Sequence, residues 1–193
     1  MEAKISAFSH EKYLFRQKVL TYENERRILV YDPNGQIVLC SKTDPASVKE
    51  ETKVYKDETM SNEWLTIKKR RVVDVDIGAT YDVFDHVHGI TIGAVRRKGV
   101  RLTPREQWLF LDPEGEEICI LQEDNIAPIG LPLRLLGIKL PPRKFSVTVG
   151  RQTLATVREH FNPLITKYTL DLSKDYNRML DRRLCIAACI LLC

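Results

Sequence analysis

The polar residues best suited to chemistry lie together near the middle of the chain, in the stretch DVFDHVHG. Carboxylates and imidazoles are common ligands of divalent metals. Alternate residues of a β-strand point to the same face, so His86 and His88 could reach one cation with Asp82 or Asp85 beside it. The alternative is a polar hairpin tip next to Gly89. Spacing fixes no third ligand, so we predict no metal site and retain these two histidines and two aspartates as candidates.

Basic residues form a second group with chemical potential. Two short runs carry them: Lys68, Lys69, Arg70 and Arg71, and then Arg96, Arg97 and Lys98 with Arg101. Arginine binds phosphate through paired hydrogen bonds, and clusters of lysine and arginine bind anionic lipid headgroups. Both runs lie near the ends of predicted strands, so folding could bring them into one patch. The alternative is that they form solvated faces balanced by Asp and Glu.

The sequence lacks the motifs of several common enzyme classes. It contains no GxSxG, no GxxxxGK[ST] and no HExxH motif. It carries 30 basic and 26 acidic residues, and this net charge of +4 is too small for a dedicated nucleic-acid binder. We therefore expect a protein that is not an enzyme, needs no cofactor and does not bind nucleic acid.

Length and composition indicate one globular domain spanning residues 1–193, of which 44% are apolar. The opening stretch MEAKISAFSHEKYLF has no signal-peptide pattern. The five cysteines are odd in number and show no metal-ligand or disulfide spacing, which is typical of a reducing compartment. These features predict a cytoplasmic protein.

Most of the sequence is predicted to form strands joined by turns. Two hairpins share a DPxG turn, at residues 32–35 and 112–115, in which proline presets one turn position and glycine takes a positive φ. The two matched hairpins suggest an internal repeat. The whole pattern predicts ten to twelve strands in meander order, among them 27–31, 36–40, 64–68, 72–77, 81–84, 90–95, 108–111, 117–121, 145–149, 153–157 and 165–170.

Two segments do not follow this pattern. Residues 43–59 are charged and poorly patterned, which predicts a surface loop with room for a short helix. Residues 125–144 form an apolar connection interrupted by four prolines. Neither segment has the composition of a linker between domains.

The final residues are predicted to be helical. Apolar residues recur at helical spacing from about Ser173, which is expected to cap the helix, and beyond Arg183 the segment is apolar on every side. Such a helix must be surrounded by apolar material. Residues 184–193 are too few for a membrane tail anchor, since crossing a bilayer takes roughly 20 residues. A closed barrel of ten or more strands has an interior too wide for its own side chains, so we predict that this helix fills it.

Five stretches resemble the superfamily of tubby-like barrels: residues 13–18, 31–36, 82–98, 108–118 and 168–193. Within that superfamily the chain is most similar to the LURP-one-related and phospholipid-scramblase-like group, and the similarity runs over nearly the whole chain. The resemblance implies a mainly β fold, with a closed antiparallel barrel of about twelve strands around a buried hydrophobic C-terminal helix.

The scramblase-like members carry an acidic, calcium-associated segment just before the final helix. The corresponding stretch here contains Asp171 and Asp175 with Lys174 between them. Two carboxylates are far fewer than the six to eight oxygen ligands that calcium prefers. This departure argues against calcium-driven lipid scrambling.

The resemblance to tubby implies that lysine and arginine side chains bind phosphoinositide headgroups, and the two basic runs are the candidates for that role. We expect a non-enzymatic intracellular barrel, peripheral to the membrane and without a transmembrane span, that binds an anionic phospholipid headgroup or a phosphorylated partner through these residues. The alternative is a protein-interaction or regulatory module with no lipid role, which would engage an unidentified protein partner through residues 43–59 or 125–144.

Overall fold

The computed structural model describes residues 6–18, 25–43, 50–70, 78–98, 105–124, 142–162 and 164–193. They contain a short 3₁₀ helix (Ser6–Phe8), twelve strands and one α-helix. The strands are β1 (Lys12–Gln17), β2 (Arg26–Tyr31), β3 (Ile37–Thr43), β4 (Glu51–Tyr55), β5 (Glu63–Lys69), β6 (Thr80–Asp85), β7 (Ile90–Arg97), β8 (Gln107–Leu111), β9 (Glu117–Glu123), β10 (Lys144–Val149), β11 (Gln152–Glu159) and β12 (Lys167–Asp171). The helix is α1 (Arg182–Leu192).

The strands form a closed antiparallel barrel in which each strand pairs with its neighbours in the sequence. The ring closes between the first and the last strand, where Tyr13 of β1 lies opposite Leu170 of β12. Closure leaves no unpaired strand edge, so the backbone polar groups of every strand are bonded on both sides. The predicted fold class is confirmed.

The two DPxG turns form as the sequence predicts. In the first, Asp32 Oδ1 accepts hydrogen bonds from the amides of Asn34 at 2.9 Å and Gln36 at 2.8 Å. Gly35 adopts a φ of 79°, a conformation that costs glycine little. In the second, Asp112 Oδ1 accepts from the amide of Glu116 at 2.8 Å. The aspartate thus satisfies amides that the tight turn leaves without a strand partner.

Five hairpins share one irregularity, which extends the repeat suggested by the DPxG turns. In each, the register shifts by one residue close to the turn, and the second strand gains an extra apolar residue: Val38, Trp64, Ile92, Ile118 and Leu154. Such bulges increase strand twist and curvature, which helps a sheet to close. In each hairpin, the residue of the first strand that directly precedes the register shift is buried in the core. These residues are Val30, Val54, Val83, Phe110 and Val147.

The interior of the barrel is occupied by α1. Seven consecutive residues of the helix are buried, from Leu184 to Ile190, and they belong to the same core cluster as the inward side chains of the strands. A helix that is buried on every side needs apolar residues around its whole circumference, and small Ala187 and Ala188 let the wall approach closely. Among the described residues, no helix is long and apolar enough to cross a membrane.

The predicted start of the helix is wrong. The helix begins at Arg182, and its N-cap is Asp181, whose side chain accepts from the amide of Arg183 at 2.8 Å. The preceding residues form turns because the buried carboxylate of Asp175 accepts from the amides of Met179 and Leu180 at 2.8 and 3.1 Å. A side chain that satisfies backbone amides in this way competes with helix formation.

The prediction of a surface loop over residues 43–59 is wrong for residues 51–55. β4 lies within that segment, and its Thr52 and Val54 are buried while Lys53 is exposed. Two buried positions are too few to reveal a strand by alternation alone. The predicted strand at 72–77, residues 44–49 and most of the connection at 125–144 (residues 125–141) lie outside the described residues.

Truncation of the helix core tests its role as the filling of the barrel. Ile186 is fully buried, so Ile186→Ala should lower the free energy of unfolding by about 2–5 kcal/mol, since it removes apolar contacts and leaves a cavity. Leu164→Ala is the control, because Leu164 is 84% exposed and its loss should change stability by less than about 0.5 kcal/mol. Urea denaturation measures both, and equal effects would contradict a helix in the core.

The thiols of the helix give a second test. Burial raises the pKa of Cys185 and Cys189 well above the ordinary value, and both side chains are enclosed by the strands. We expect neither to react with a maleimide in native protein, and both to react once urea unfolds the chain, because the reactive species is the accessible thiolate. Mass spectrometry reads the modified positions. Prompt labelling without unfolding would show that the helix lies outside the barrel.

Candidate functional site

The barrel has two different ends. At one end, which we call the turn end, lie the tight turns at 32–36, 86–89, 112–116 and 150–151, together with the start of α1. At the other, which we call the far end, the odd-numbered strands finish, including β5 at Lys69 and β7 at Arg97. β5 and β7 run parallel, because both pair antiparallel with β6. The two basic runs of the sequence therefore meet at the far end, two strands apart.

Strand alternation divides each run between two faces. Ile67 and Val95 point into the core, so Lys68 and Arg96 point outward from β5 and β7. Arg70 lies on the same outer face, since its guanidinium bonds the outward carboxylate of Asp82 through Nε at 3.2 Å and through Nη2. Lys98 is exposed just beyond β7. We call Lys68, Arg70, Arg96 and Lys98 the outer basic patch.

The patch is held together by β6. Thr80 at the start of β6 accepts a backbone hydrogen bond from Arg70 at 2.7 Å and lies opposite Arg96 in the register. The Arg96 Nε also donates to Thr80 Oγ1 at 3.2 Å. Adjacent strands are about 4.8 Å apart, so Arg70 and Arg96 start roughly 10 Å from each other. Asp82 and Glu51 lie opposite Lys68, and the four basic residues exceed these two carboxylates.

Of the remaining members of the two runs, Lys69 and Arg97 are paired with carboxylates, as Arg70 is within the patch. Lys69 Nζ lies 2.5 Å from Glu50, and this hydrogen bond raises the pKa of the lysine. Arg97 Nη2 lies 3.0 Å from Glu106, with its guanidinium over the Trp108 ring. Arg71 and Arg101 lie outside the described residues. The charges of Lys69 and Arg97 are therefore balanced locally by Glu50 and Glu106.

Arg143, in a third basic stretch, belongs to a structural network. Its guanidinium bonds Glu123, from Nε at 3.1 Å, and Glu106, while its backbone amide donates to Glu159 at 2.9 Å. Burial alone would lower the pKa of Arg143, but Glu123 and Glu106 raise it above the ordinary value. Glu123 is buried, and a buried carboxylate requires such partners. The network closes the far end around β8, β9 and β10 and leaves Arg143 unavailable to a ligand.

The four metal-ligand candidates separate into three local interactions. Asp82 pairs with Arg70 on the outer face. His86 Nε2 lies 2.7 Å from Thr66 Oγ1 and 3.0 Å from Glu63. His88 Nδ1 donates to Asp85 at 2.8 Å. Both histidines follow the end of β6, so strand alternation does not align them, and the described residues contain no group of three metal ligands.

Asp85 instead anchors the helix. It is buried in the barrel wall, and Arg183 Nη1 of α1 donates to its Oδ2 at 2.5 Å. The amides of Val87 and His88 donate to Oδ1 at 2.7 and 3.2 Å. Burial alone would raise the pKa of Asp85, but the hydrogen bonds from His88, Arg183 and Val87 outweigh it and hold the pKa below the ordinary value. The carboxylate is therefore ionised and locks the start of α1 to the end of β6.

A groove opens beside this anchor at the turn end. It has a volume of about 1040 Å³ and is formed by Phe8, Ser9, Val87, His88, Ile90 and residues 178–183. We call it the α1 groove. Its apolar surface includes Ile90 and Met179, which are 49% and 51% exposed. Three arginines and one aspartate supply its charges. The groove thus combines apolar surface with an excess of positive charge.

Sequence reasoning missed this groove. The spacing of apolar residues after Ser173 predicts a helix there, whereas the structure has turns before Arg182 that leave Met179 exposed. The signal that the sequence offered was the cluster of basic residues Arg178, Arg182 and Arg183 directly before an apolar helix. The chain contact that completes the groove, in which Arg182 Nη1 donates to the carbonyl of His10 at 2.7 Å, joins residues 172 positions apart and has no local signature.

Removal of the Asp85 charge should destabilise the fold. Asp85→Asn removes the wall carboxylate from Arg183, which keeps Asp181 as its partner, so we expect a loss of about 1.5–3 kcal/mol in the free energy of unfolding at neutral pH, the range for a hydrogen bond to a charged group. The folded pKa of Asp85 lies below the ordinary 3.8, so its contribution is complete above pH 3.8 and is lost as pH falls through the folded value. The variant should therefore lose less stability than wild type on acidification.

Urea denaturation at neutral and acidic pH measures both effects. Asp82→Asn is the matched control, since Asp82 forms an ion pair with Arg70 in which the two side chains are 38% and 46% exposed, and such pairs contribute about 0–1 kcal/mol. Equal losses for the two variants would contradict the role of Asp85 as the anchor of the helix.

Comparison of the chain with protein-family models, with curated proteins and with solved structures found no match. The resemblance to tubby-like and scramblase-like barrels is therefore a prediction from the sequence patterns alone.

Proposed function

We propose that this protein is a non-enzymatic barrel that binds anionic phospholipid headgroups at the cytoplasmic face of a membrane through the outer basic patch. The patch carries the proposal because the fold gathers Lys68, Arg70, Arg96 and Lys98 onto one outer surface from two separate parts of the sequence. Lys68, Arg70 and Lys98 are exposed, and Arg96 is half-buried.

The chemistry of the patch suits phosphate. Guanidinium groups bind phosphate oxygens in pairs, and lysine adds a mobile point charge. The Arg70–Asp82 pair is exposed and contributes little to stability, so an arriving phosphate can compete with the carboxylate at small cost. Electrostatic binding at the membrane surface fits the patch better than insertion of apolar side chains into the bilayer. The exposed apolar residues Ile118, Phe161 and Leu164 lie outside this patch.

The filled barrel favours binding over catalysis. Enzymes usually work in a concave pocket, whereas the barrel interior holds α1 with seven consecutive buried residues. A cytoplasmic location fits the five free cysteines, four of which are buried.

Vesicle sedimentation tests the proposal. The protein should bind phosphatidylcholine vesicles that contain phosphatidylinositol bisphosphate, bind phosphatidylcholine alone much less, and dissociate as salt shortens the Debye length from about 10 Å at 0.1 M to about 3 Å at 1 M. The double variant Lys68→Glu, Lys98→Glu should bind at least about thirty-fold more weakly, since each basic residue near an anionic surface contributes about 1 kcal/mol.

The control carries the same change of charge at the opposite end of the barrel. Arg151→Glu with Lys174→Glu alters two exposed residues near the turn end, and this variant should keep most of its binding. An equal loss of vesicle binding in both double variants would show that binding depends on the net charge of the protein and not on the outer basic patch. Binding that is absent or insensitive to salt would refute the proposal.

A further inference from the structure

The α1 groove presents chemistry that the proposed lipid site does not use. Phe8 and Val87 are half-buried, and Ile90 and Met179 are about half exposed, so the groove offers apolar surface to an incoming ligand. Scattered exposed apolar residues need no explanation, but here they line one concavity together with charged residues. Concave surfaces that combine apolar contact with a few polar groups are typical of binding sites.

The positive charge of the groove is only partly neutralised. Arg183 is paired with Asp181 at 2.6 Å and with Asp85 at 2.5 Å. Arg182 donates to the backbone carbonyl of His10, which carries no net charge. Arg178 is exposed, and among the described residues neither Arg178 nor Arg182 has a carboxylate within salt-bridge distance. Arg178 and Arg182 therefore line the groove without a carboxylate partner of their own in the part of the chain that the structure describes.

We infer that the α1 groove binds a short acidic peptide segment of a partner protein, with carboxylates on Arg178 and Arg182 and apolar side chains against Ile90 and Met179. Guanidinium groups bind carboxylates through paired hydrogen bonds. The groove is an open concavity at the surface, which suits an extended peptide that keeps its backbone partly in water.

This site is separate from the proposed lipid site. β7 has Ile90 at the groove and Arg97 at the far end, and its eight residues span about 23 Å. The outer basic patch and the α1 groove therefore share no residue and can be tested independently.

Selection from a library of random short peptides on immobilised wild-type protein supplies the probe. We expect the selected peptides to combine Asp or Glu with Leu, Ile or Phe. A fluorescein-labelled copy of the most frequent peptide is then titrated by fluorescence anisotropy. Arg178→Glu should weaken its binding about tenfold or more, an effect that shrinks at high salt, because a favourable charge pair becomes a repulsive one. Met179→Asp should weaken binding as well.

Three variants serve as controls. Arg151→Glu makes the same charge change on another turn at this end and should bind the peptide like wild type. Lys68→Glu with Lys98→Glu should also bind the peptide normally, so failure of the lipid proposal leaves this test intact. Urea midpoints equal to wild type verify that the groove variants are folded, as expected for exposed positions.

Two results would overturn the inference. One is the absence of any enriched acidic peptide, or a selected peptide that binds Arg178→Glu and Met179→Asp as well as wild type. The other is that these variants lose binding to anionic vesicles while no peptide binds, which would assign the groove to a membrane surface.

Discussion

The structure depends on filling the interior of a twelve-stranded ring. A barrel of this size cannot close its own core with side chains from the strands, so an apolar element must enter it. α1 fills that space, with seven consecutive buried residues surrounded by inward side chains such as Val30, Val83 and Phe110. The dependence is mutual. A helix that is apolar on every side is insoluble without the ring, and the ring without it would enclose an empty cavity.

The start of the helix shows how a polar contact can orient an apolar element. Apolar packing alone is not directional, but the Asp85–Arg183 pair is buried on the carboxylate side and fixes the first turn of α1 against the end of β6. Arg182 ties the same turn to His10, just before β1, so that the start of the helix meets the N-terminal part of the described chain there. The anchoring arginines and their neighbour Arg178 create the positive side of the α1 groove. The surface chemistry at this end is therefore a consequence of how the helix is held.

The sequence predicts correctly those features that depend on interactions between residues close together in the chain. The DPxG turns identify their hairpins because Asp, Pro and Gly each satisfy a requirement within four residues. The early strand β1 and the short strand β4 escaped the pattern, since their burial depends on partners elsewhere in the chain. The helix start was misplaced because the Asp175 carboxylate binds amides that a helix would have used. The basic runs were identified, but only the strand register shows that Lys68 and Lys98 are exposed on the outer face while Lys69 and Arg97 meet carboxylates.

The rigidity of the closed barrel determines how the outer basic patch and the α1 groove would act together. Every strand is hydrogen-bonded on both sides, so the ring resists shear, and a ligand at one end has no flexible edge through which to move the other. If the outer basic patch held the protein on a membrane, the α1 groove would lie about 23 Å of strand away and stay accessible. Binding at the two sites would then be additive, and affinity for a membrane-bound partner would rise through effective concentration. A rigid barrel of this kind is suited to joining two binding events by geometry, without a conformational switch between them.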